Sequence, residues 1–267
     1  MKKLILLTAL LVAVMAFAAC TAGGNQEPER RTLVMGTSAG FFPFEFIADD
    51  GRGVIGHYAG IDVSLAARIG EYLNADIVIQ DQEFAGLIFA LQSREIDFIA
   101  AGMTIRPDRA EMVNFSVPYF TAGQRVVVLQ NAPFNSVADL EGMIVGVQLG
   151  TTADIAITDS HTEGNVTFQE ILRYNQPVTA IMDLLSGSID AVVIDAPVAR
   201  GFQANYPDQL HIFYDPNNFF GPEQFGMAFH LEDTELLAEF NEVLSRLIAE
   251  GYVDYLYNYY MTEFTPE

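Results

Sequence analysis

The alternation of short apolar runs with helical patterns is the feature that most restricts the fold of this chain. Runs rich in β-branched and aromatic residues predict strands, and segments with apolar residues three or four positions apart predict the helices between them. Strands that alternate with helices at this spacing favour parallel α/β sheets. The predicted strands are 31–36, 75–80, 96–102, 125–130, 143–148, 165–170, 190–195 and 211–215, and the predicted helices include 61–74 and 84–94.

The folded part of the chain is long for one hydrophobic core, so two lobes are expected within residues 32–267. A weak internal repeat is compatible with this division. Residues 87–102 and 180–195 share an apolar helix, a polar break, an Ile-Asp pair and a buried strand. The repeat indicates either one unit used in two similar lobes or the ordinary likeness of any two helix-to-strand units.

The N-terminus has the pattern of an export signal. Residues 1–20 contain two lysines, an apolar run and small residues before Cys20, the only cysteine of the chain. The sequence around Cys20 resembles a bacterial lipobox, which predicts lipidation of this cysteine, with cleavage by the general signal peptidase as the alternative. The polar segment 21–31 is predicted to be a flexible tether.

The charge of the chain excludes some classes of partner. Thirteen lysines and arginines against 35 aspartates and glutamates give a formal net charge of -22. Without Lys2 and Lys3 the balance is 11 against 35, or -24. Such an excess of acid argues against nucleic-acid binding, which needs a basic surface. A saline or alkaline habitat is an alternative reason for the acidity.

Polar and aromatic residues follow four predicted strands, where an open α/β sheet binds its ligands. The four positions are 37–44, with exposed aromatic residues, 102–109, with two arginines, 148–154, which opens a helix, and Asp195. An arginine can bind a carboxylate through two parallel hydrogen bonds, and helix-start amides such as those of Thr151 and Thr152 favour an anion. The set therefore predicts a site for a small zwitterion.

Several dispersed blocks resemble the extracytoplasmic solute-binding proteins of bacterial amino-acid ABC transporters (family 3). They include GTSAGFFPFEF, GIDVSLA, GMTIRPDRAEMVNFSVPY, GVQLGTTAD, LLSGSIDAVVIDAPVA and QFGMAF. The resemblance implies the two-lobe, type II fold of periplasmic binding proteins with two hinge strands. It implies a first lobe of 32–121 plus 222–267 and a second lobe of 122–221.

The family's site residues are carried over by position. The resemblance assigns the ligand's α-carboxylate to Arg109, assisted by Thr104 and Thr152, and the α-ammonium to Asp195 with Gly102. Arg106 has no assigned role and is interpreted as a surface cation.

The side chain of the ligand is expected between two aromatic rings, those of Phe41 and Phe84. Ser38 stands where relatives that bind cationic amino acids often carry an acid, and Gln148 offers an amide. The sequence therefore predicts a neutral, polar, glutamine-like amino acid.

Partners and alternatives complete the expectations. Nucleotide-binding and common hydrolase motifs are absent from the sequence, so transport would need a permease with a separate ATPase, and no cofactor or metal is expected. The protein is expected to be held outside the cytoplasm by its lipid.

One alternative function is a dehydratase-like enzyme with Glu45 or Glu170 as general acid, although Glu45 is interpreted first as a structural acid or one behind the residues that contact the ligand. The other is a sensor that acts in trans on a receptor kinase.

Overall fold

The computed structural model describes residues 30–134, 136–213 and 220–264. The predicted export signal with Cys20 and nearly all of the predicted tether lie outside the described residues. The strands are β1 Arg31–Thr37, β2 Phe46–Ile47, β3 Tyr58–Ala59, β4 Ala75–Asp81, β5 Phe98–Ile99, β6 Asn114–Phe115, β7 Phe120–Leu129, β8 Ile144–Gln148, β9 Glu170–Tyr174, β10 Ala191–Asp195, β11 Leu210–Phe213, β12 Pro222–Phe225 and β13 Ala228–Phe229. The α-helices are α1 Ile61–Tyr72, α2 Leu87–Gln92, α3 Pro107–Ala110, α4 Thr152–Glu163, α5 Pro177–Ser186, α6 Ala196–Asn205, α7 Thr234–Ala249 and α8 Tyr252–Thr262, with short 3-10 turns at Phe84–Gly86 and Val137–Leu140.

Lobe 1 is the part of the chain built on a five-stranded sheet with the order β4-β1-β5-β13-β6. Strands β1 and β5 are parallel, and β13 runs antiparallel to β5 and β6. Helix α1 packs against α7 and α8. The core on this sheet includes buried phenylalanine rings, among them Phe98, Phe229 and Phe240.

Lobe 2 is built on a second sheet with the order β11-β7-β10-β8-β9. Strands β10, β8 and β9 are parallel, as predicted, whereas β7 is antiparallel to β10 and β11. The sheets are therefore mixed. The apolar strand residues that alternate toward one face, such as Val126, Val128, Val145 and Val147, form a separate hydrophobic cluster.

The connection between the lobes consists of two paired strands. The first residues of β7 pair with β12, with Phe120 opposite Phe225, and its later residues pair with β10 and β11 in lobe 2. The chain leaves lobe 1 along β7 and returns along β12. A two-lobe α/β fold with two hinge strands is thus present, and the predicted lobe boundaries remain a prediction.

Several strands differ from the sequence-based prediction, among them β9 and β5. The predicted strand 165–170 is wrong, because the ladder with β8 is made by Glu170–Tyr174. Val166 and Phe168 alternate and are buried, at 5% and 2% exposure, so they have the period of a strand without its hydrogen bonds. The predicted strand 96–102 is shorter in the structure, since only Phe98–Ile99 pair before the backbone turns toward Gly102.

The ends of β1 and β5 are held together by polar contacts. Thr37 Oγ1 donates to the carbonyl of Ala100 at 2.7 Å. Asp62, at the start of α1, accepts from the Gly102 amide at 2.8 Å and from the Tyr119 hydroxyl at 2.8 Å. Because these bonds join α1, the end of β5 and the start of the hinge, they fix the backbone on which one side of the site is built.

Candidate functional site

All ten side-chain and backbone positions predicted for the ligand line one cavity between the two sheets. The cavity has about 300 Å³ of space between its wall atoms, part of it open to solvent. The four strand ends singled out in the sequence meet there as two pairs: β1 and β5 are parallel in one sheet, β8 and β10 are parallel in the other, and residues from both sheets line the cavity. The lining residues are Ser38, Phe41, Glu45, Phe84, Ala101, Gly102, Thr104, Arg109, Gln148, Thr151, Thr152 and Asp195.

Arg109 is the cation of the cavity and is only 4% exposed. Its Nη1 donates to the Thr104 carbonyl at 2.9 Å and its Nη2 donates to the Gly150 carbonyl at 3.0 Å. The guanidinium carbon lies 5.3 Å from the centre of the Phe84 ring. Burial lowers the pKa of Arg109 to about 10, with the neighbouring Arg106 as the second cause, so the group stays charged at neutral pH.

Arg106 is outside the cavity. It forms an ion pair with Asp108 at 2.9 Å at the start of α3. This position agrees with its interpretation as a surface cation. The two arginines that lie close together in the sequence therefore have different positions: Arg109 is buried at the cavity and Arg106 is near the surface.

Asp195 is a buried acid of the same cavity and carries the charge opposite to that of Arg109 when it is ionised. Its Oδ1 accepts from Gln124 Nε2 at 3.0 Å, and the same nitrogen donates to Glu223 Oε2 at 3.1 Å. Burial, and secondly the nearby Glu223, raise the pKa of Asp195 to about 8. The sequence analysis found Asp195 but neither Gln124 nor Glu223, which lie on the hinge strands and carry no motif of their own.

Gly102 shows why one wall needs a glycine. Its φ angle is +53°, and a Cβ atom there would lie 2.8 Å from Cε1 of Phe41. The absence of a side chain lets the aromatic ring approach the backbone at the end of β5. Phe41 and the backbone of Gly102 thereby form one continuous wall.

Glu45, interpreted from the sequence as a structural acid or one behind the residues that contact the ligand, is among the residues that line the cavity. It is 1% exposed, and its Oε2 has no hydrogen-bond partner among the described residues. Burial is the main cause that raises its pKa well above the usual value, followed by Asp62, Asp81 and Asp195. Ser38, also in the wall, has an unpartnered hydroxyl within the same part of the chain. Buried polar groups without partners indicate where a ligand supplies the missing contacts.

Several hydrogen bonds within the described part of the chain join the lobes at the cavity and beside it. Besides the bond from Arg109 to Gly150, Thr152 Oγ1 donates to Thr104 Oγ1 at 3.1 Å and Asn175 Nδ2 donates to Glu83 Oε1 at 2.5 Å. Helix α4 begins at this place, with Thr151 as its N-cap. The Asp154 amide donates to Thr151 Oγ1 at 3.4 Å, and the remaining amides at a helix start favour an anion.

The remaining candidates from the sequence lie elsewhere. Glu170 is exposed at the start of β9 and is not part of the cavity wall. Within 30–134, 136–213 and 220–264, no group of three His, Cys, Asp or Glu side chains could hold a metal ion. No helix in the described part of the chain is long and apolar enough to cross a membrane.

Two lobes that line one cavity containing a buried cation and a buried acid define a ligand-binding receptor of the two-lobe type. Residues 33–263 match the bacterial extracellular solute-binding proteins, family 3. The chain belongs to this family. It is an extracytoplasmic amino-acid-binding receptor of an ABC transporter and not an enzyme. The alternative of a dehydratase-like enzyme is therefore wrong.

Similar proteins support this assignment over nearly the whole chain. An L-arginine-binding protein of Pseudomonas aeruginosa is 35% identical over 257 residues, which cover 94% of this chain and 93% of that protein. An ancestral arginine-binding protein bound to arginine superposes with a TM-score of 0.75 at 35% identity, over 85% of this chain and 97% of the other. Another, bound to glutamine, superposes with a TM-score of 0.76 at 34% identity, over 90% and 100%.

The raised pKa of Asp195 predicts how ligand-free stability depends on pH. An acid whose pKa is higher in the folded chain than in the unfolded one takes up a proton on folding, so stability falls as the pH rises from about 4 to about 8. The ligand-free protein should therefore melt at a lower temperature at pH 8.5 than at pH 5. Asp195→Asn should melt roughly 5 °C or more above the wild type at pH 8.5 and close to it at pH 5.

The measurement is thermal unfolding after denaturing dialysis to remove bound ligand. Asp159→Asn, on the exposed side of α4, makes the same charge change and serves as control. Equal effects of both substitutions at pH 8.5 would contradict the assignment of the pH dependence to Asp195.

Proposed function

We propose that this receptor binds one L-α-amino acid between its lobes and presents it, with the lobes closed, to the permease of an ABC transporter with a separate ATPase. The observation that carries the proposal is the presence of buried Arg109 and buried Asp195 in one cavity that both sheets line. The lobes are 32–121 with 222–267 and 122–221. Contacts from both lobes to one ligand stabilise the closed form by the ligand's difference in affinity between the two forms.

The α-carboxylate binds to Arg109 and to the start of α4, where the Thr152 amide adds a donor, since the amide and hydroxyl of Thr151 both donate to the Gln148 carbonyl. The guanidinium is already oriented by its bonds to two carbonyls, so a carboxylate meets a fixed fork of N–H groups. The α-ammonium binds to Asp195 and to the carbonyl of Gly102. Each of these charged hydrogen bonds contributes about 1.5 to 3 kcal/mol.

The side chain of the ligand lies between Phe41 and Phe84 and reaches Ser38, Gln148 and Glu45. We propose a cationic side chain such as that of arginine, because the buried and unpartnered oxygen of Glu45 is suited to a guanidinium. The arginine-binding relatives support this choice.

A neutral, glutamine-like ligand is the second candidate and remains the prediction made from the sequence. Ser38 and Gln148 offer neutral hydrogen-bonding groups, and one of the similar solved structures holds glutamine. A protonated Glu45 could donate to an amide carbonyl. The two candidates differ in the charge that Glu45 must carry in the complex.

Outside the described residues, we propose that the first 20 residues direct export and that Cys20 receives a lipid. Residues 21–31 then tether the receptor to the outer side of the cell membrane. The proposed partners are an amino acid, the permease and the membrane through this lipid, without nucleic acid. The sensor alternative remains open, since a receptor of this kind can also pass its occupancy to a kinase in trans.

Replacement of Arg109 tests the proposed function most simply. Calorimetric titration with the proteinogenic amino acids should identify at least one ligand of the wild type. Arg109→Lys should weaken its binding by about 100-fold, because a lysine cannot reproduce the fork. Arg106→Lys is the matched control and should change the affinity less than threefold. Retention of wild-type affinity by Arg109→Lys would contradict the site.

Replacement of Glu45 separates the two ligand candidates. Glu45→Gln keeps the size of the side chain and removes its charge, so the affinity for L-arginine should fall by about 100-fold, whereas that for L-glutamine should change less than tenfold. Glu111→Gln, an exposed residue of lobe 1, is the control. If the wild type prefers glutamine and Glu45→Gln leaves both affinities unchanged, the cationic ligand is wrong.

A further inference from the structure

The second hinge strand carries an acid that contacts the cavity groups without lining the cavity itself. Glu223 lies in β12, opposite Ala122 of β7. Its Oε2 accepts from Thr104 Oγ1 at 3.0 Å and from Gln124 Nε2 at 3.1 Å. Thr104 belongs to lobe 1, and Gln124 pairs in register with Asp195 of lobe 2. The carboxyl group of Glu223 therefore connects the hinge to both sides of the site.

The bond from Thr104 to Glu223 determines what Thr104 can offer a ligand. A hydroxyl group has one hydrogen to donate and two lone pairs that accept. The hydrogen is directed to Glu223, and Thr152 Oγ1 donates to the same Thr104 oxygen. The Thr104 hydroxyl thus presents an acceptor to the cavity, which suits an ammonium and not a carboxylate. This differs from the role that the resemblance assigned to it.

Gln124 is fixed in the same way. It is 2% exposed, and its amide nitrogen donates to both Asp195 and Glu223. The amide group has two hydrogens, so both are used. The two carboxyl groups are therefore held on either side of one amide, with Asp195 in the cavity wall and Glu223 behind it.

We propose that Glu223 is a positioning residue for the α-ammonium of the bound amino acid, acting through Thr104 and through Gln124 with Asp195. It turns the Thr104 hydroxyl into an acceptor and adds negative charge behind Asp195. Together with the Gly102 carbonyl, the cavity then offers three acceptors to the three N–H groups of an ammonium. The proposal rests on the proposed function, since it concerns the same site.

The charges around Asp195 give this proposal a specific signature. Asp195 interacts electrostatically with three charged or titratable groups: Glu223 on the hinge, Arg109 on α3 and Glu45 before β2. Glu223 is the largest contributor after burial to the raised pKa of Asp195. Loss of its charge should lower that pKa and leave the contributions of Arg109 and Glu45 in place.

The test is calorimetric titration of the wild type and Glu223→Gln with L-arginine and with L-glutamine from pH 6 to pH 8.5. The wild type should lose affinity as the pH falls below about 8, because Asp195 must release a proton to pair with an ammonium. Glu223→Gln should bind about tenfold more weakly at pH 8.5. Its loss of affinity should begin about one pH unit lower.

The shift of the pH profile distinguishes positioning from a structural role, which would weaken binding equally at every pH. Gln224→Ala, on the same strand with an exposed side chain, is the control and should match the wild type. Glu223→Asp keeps the charge, so its profile should keep the midpoint of the wild type even if the affinity falls. This variant also provides a folded comparison if Glu223→Gln is unstable.

The outcomes separate the two claims. A wild type that binds none of the amino acids overturns the proposed function and this inference with it. A wild type that binds while Glu223→Gln keeps the wild-type affinity, or shows a parallel loss at all pH values, overturns only the role of Glu223. An unshifted midpoint in Glu223→Gln likewise rejects the electrostatic part of that role.

Discussion

The position of Arg109 between two lobes is the constraint on which the site depends. One guanidinium nitrogen donates to the Thr104 carbonyl of lobe 1 and another donates to the Gly150 carbonyl of lobe 2. A buried cation that is bound only by neutral carbonyls still lacks a counterion within hydrogen-bond reach, and burial of a charge without such a partner is costly. In the proposed complex the ligand's carboxylate supplies this partner, so one side chain would couple binding of the anion to closure of the lobes.

Three buried acids, two in the cavity wall and Asp62 hydrogen-bonded to the Gly102 amide of that wall, raise the complementary problem of unpaired negative charge. Asp195, Glu45 and Asp62 are each nearly inaccessible to solvent, and the pKa of each is raised mainly by burial. Without a cation the acids favour their protonated forms. An amino acid with a cationic side chain brings two positive groups to the site, one for Asp195 and one for Glu45. The polar surroundings of the cavity are therefore completed by the ligand and not by the protein alone.

The sequence predicted the positions that depend on strand ends and missed those that depend on the hinge. Ser38, Gly102, Gln148 and Asp195 each follow a recognisable strand, and parallel strands bring their ends to one edge. Glu223 lies within the short strand β12 and carries no motif of its own, and only the pairing of β12 with β7 brings it to the site. Glu45 was found in the sequence, but the direction of its side chain depends on how its turn folds back on Phe41.

The strands of the fold, like the hinge residues, could be predicted only in part from local sequence patterns. Alternation of buried residues placed a strand at 165–170, yet the hydrogen-bonded ladder lies at Glu170–Tyr174. Burial with a period of two residues identifies which side chains face the core, whereas a strand also requires a neighbour with matching hydrogen-bonding groups. The order of the sheets and the two crossings of the hinge depend on such long-range pairing, which local patterns do not encode.

The most direct test of this account is the number of protons released when L-arginine binds at pH 7, measured by calorimetry in buffers with different ionisation enthalpies. Asp195 has a pKa of about 8 without ligand and should be ionised beside an ammonium. At pH 7 the predicted release is therefore about one proton, from Asp195. Binding that releases no protons, with an affinity independent of pH between 6 and 8.5, would contradict the claim that the ligand pairs with these buried acids.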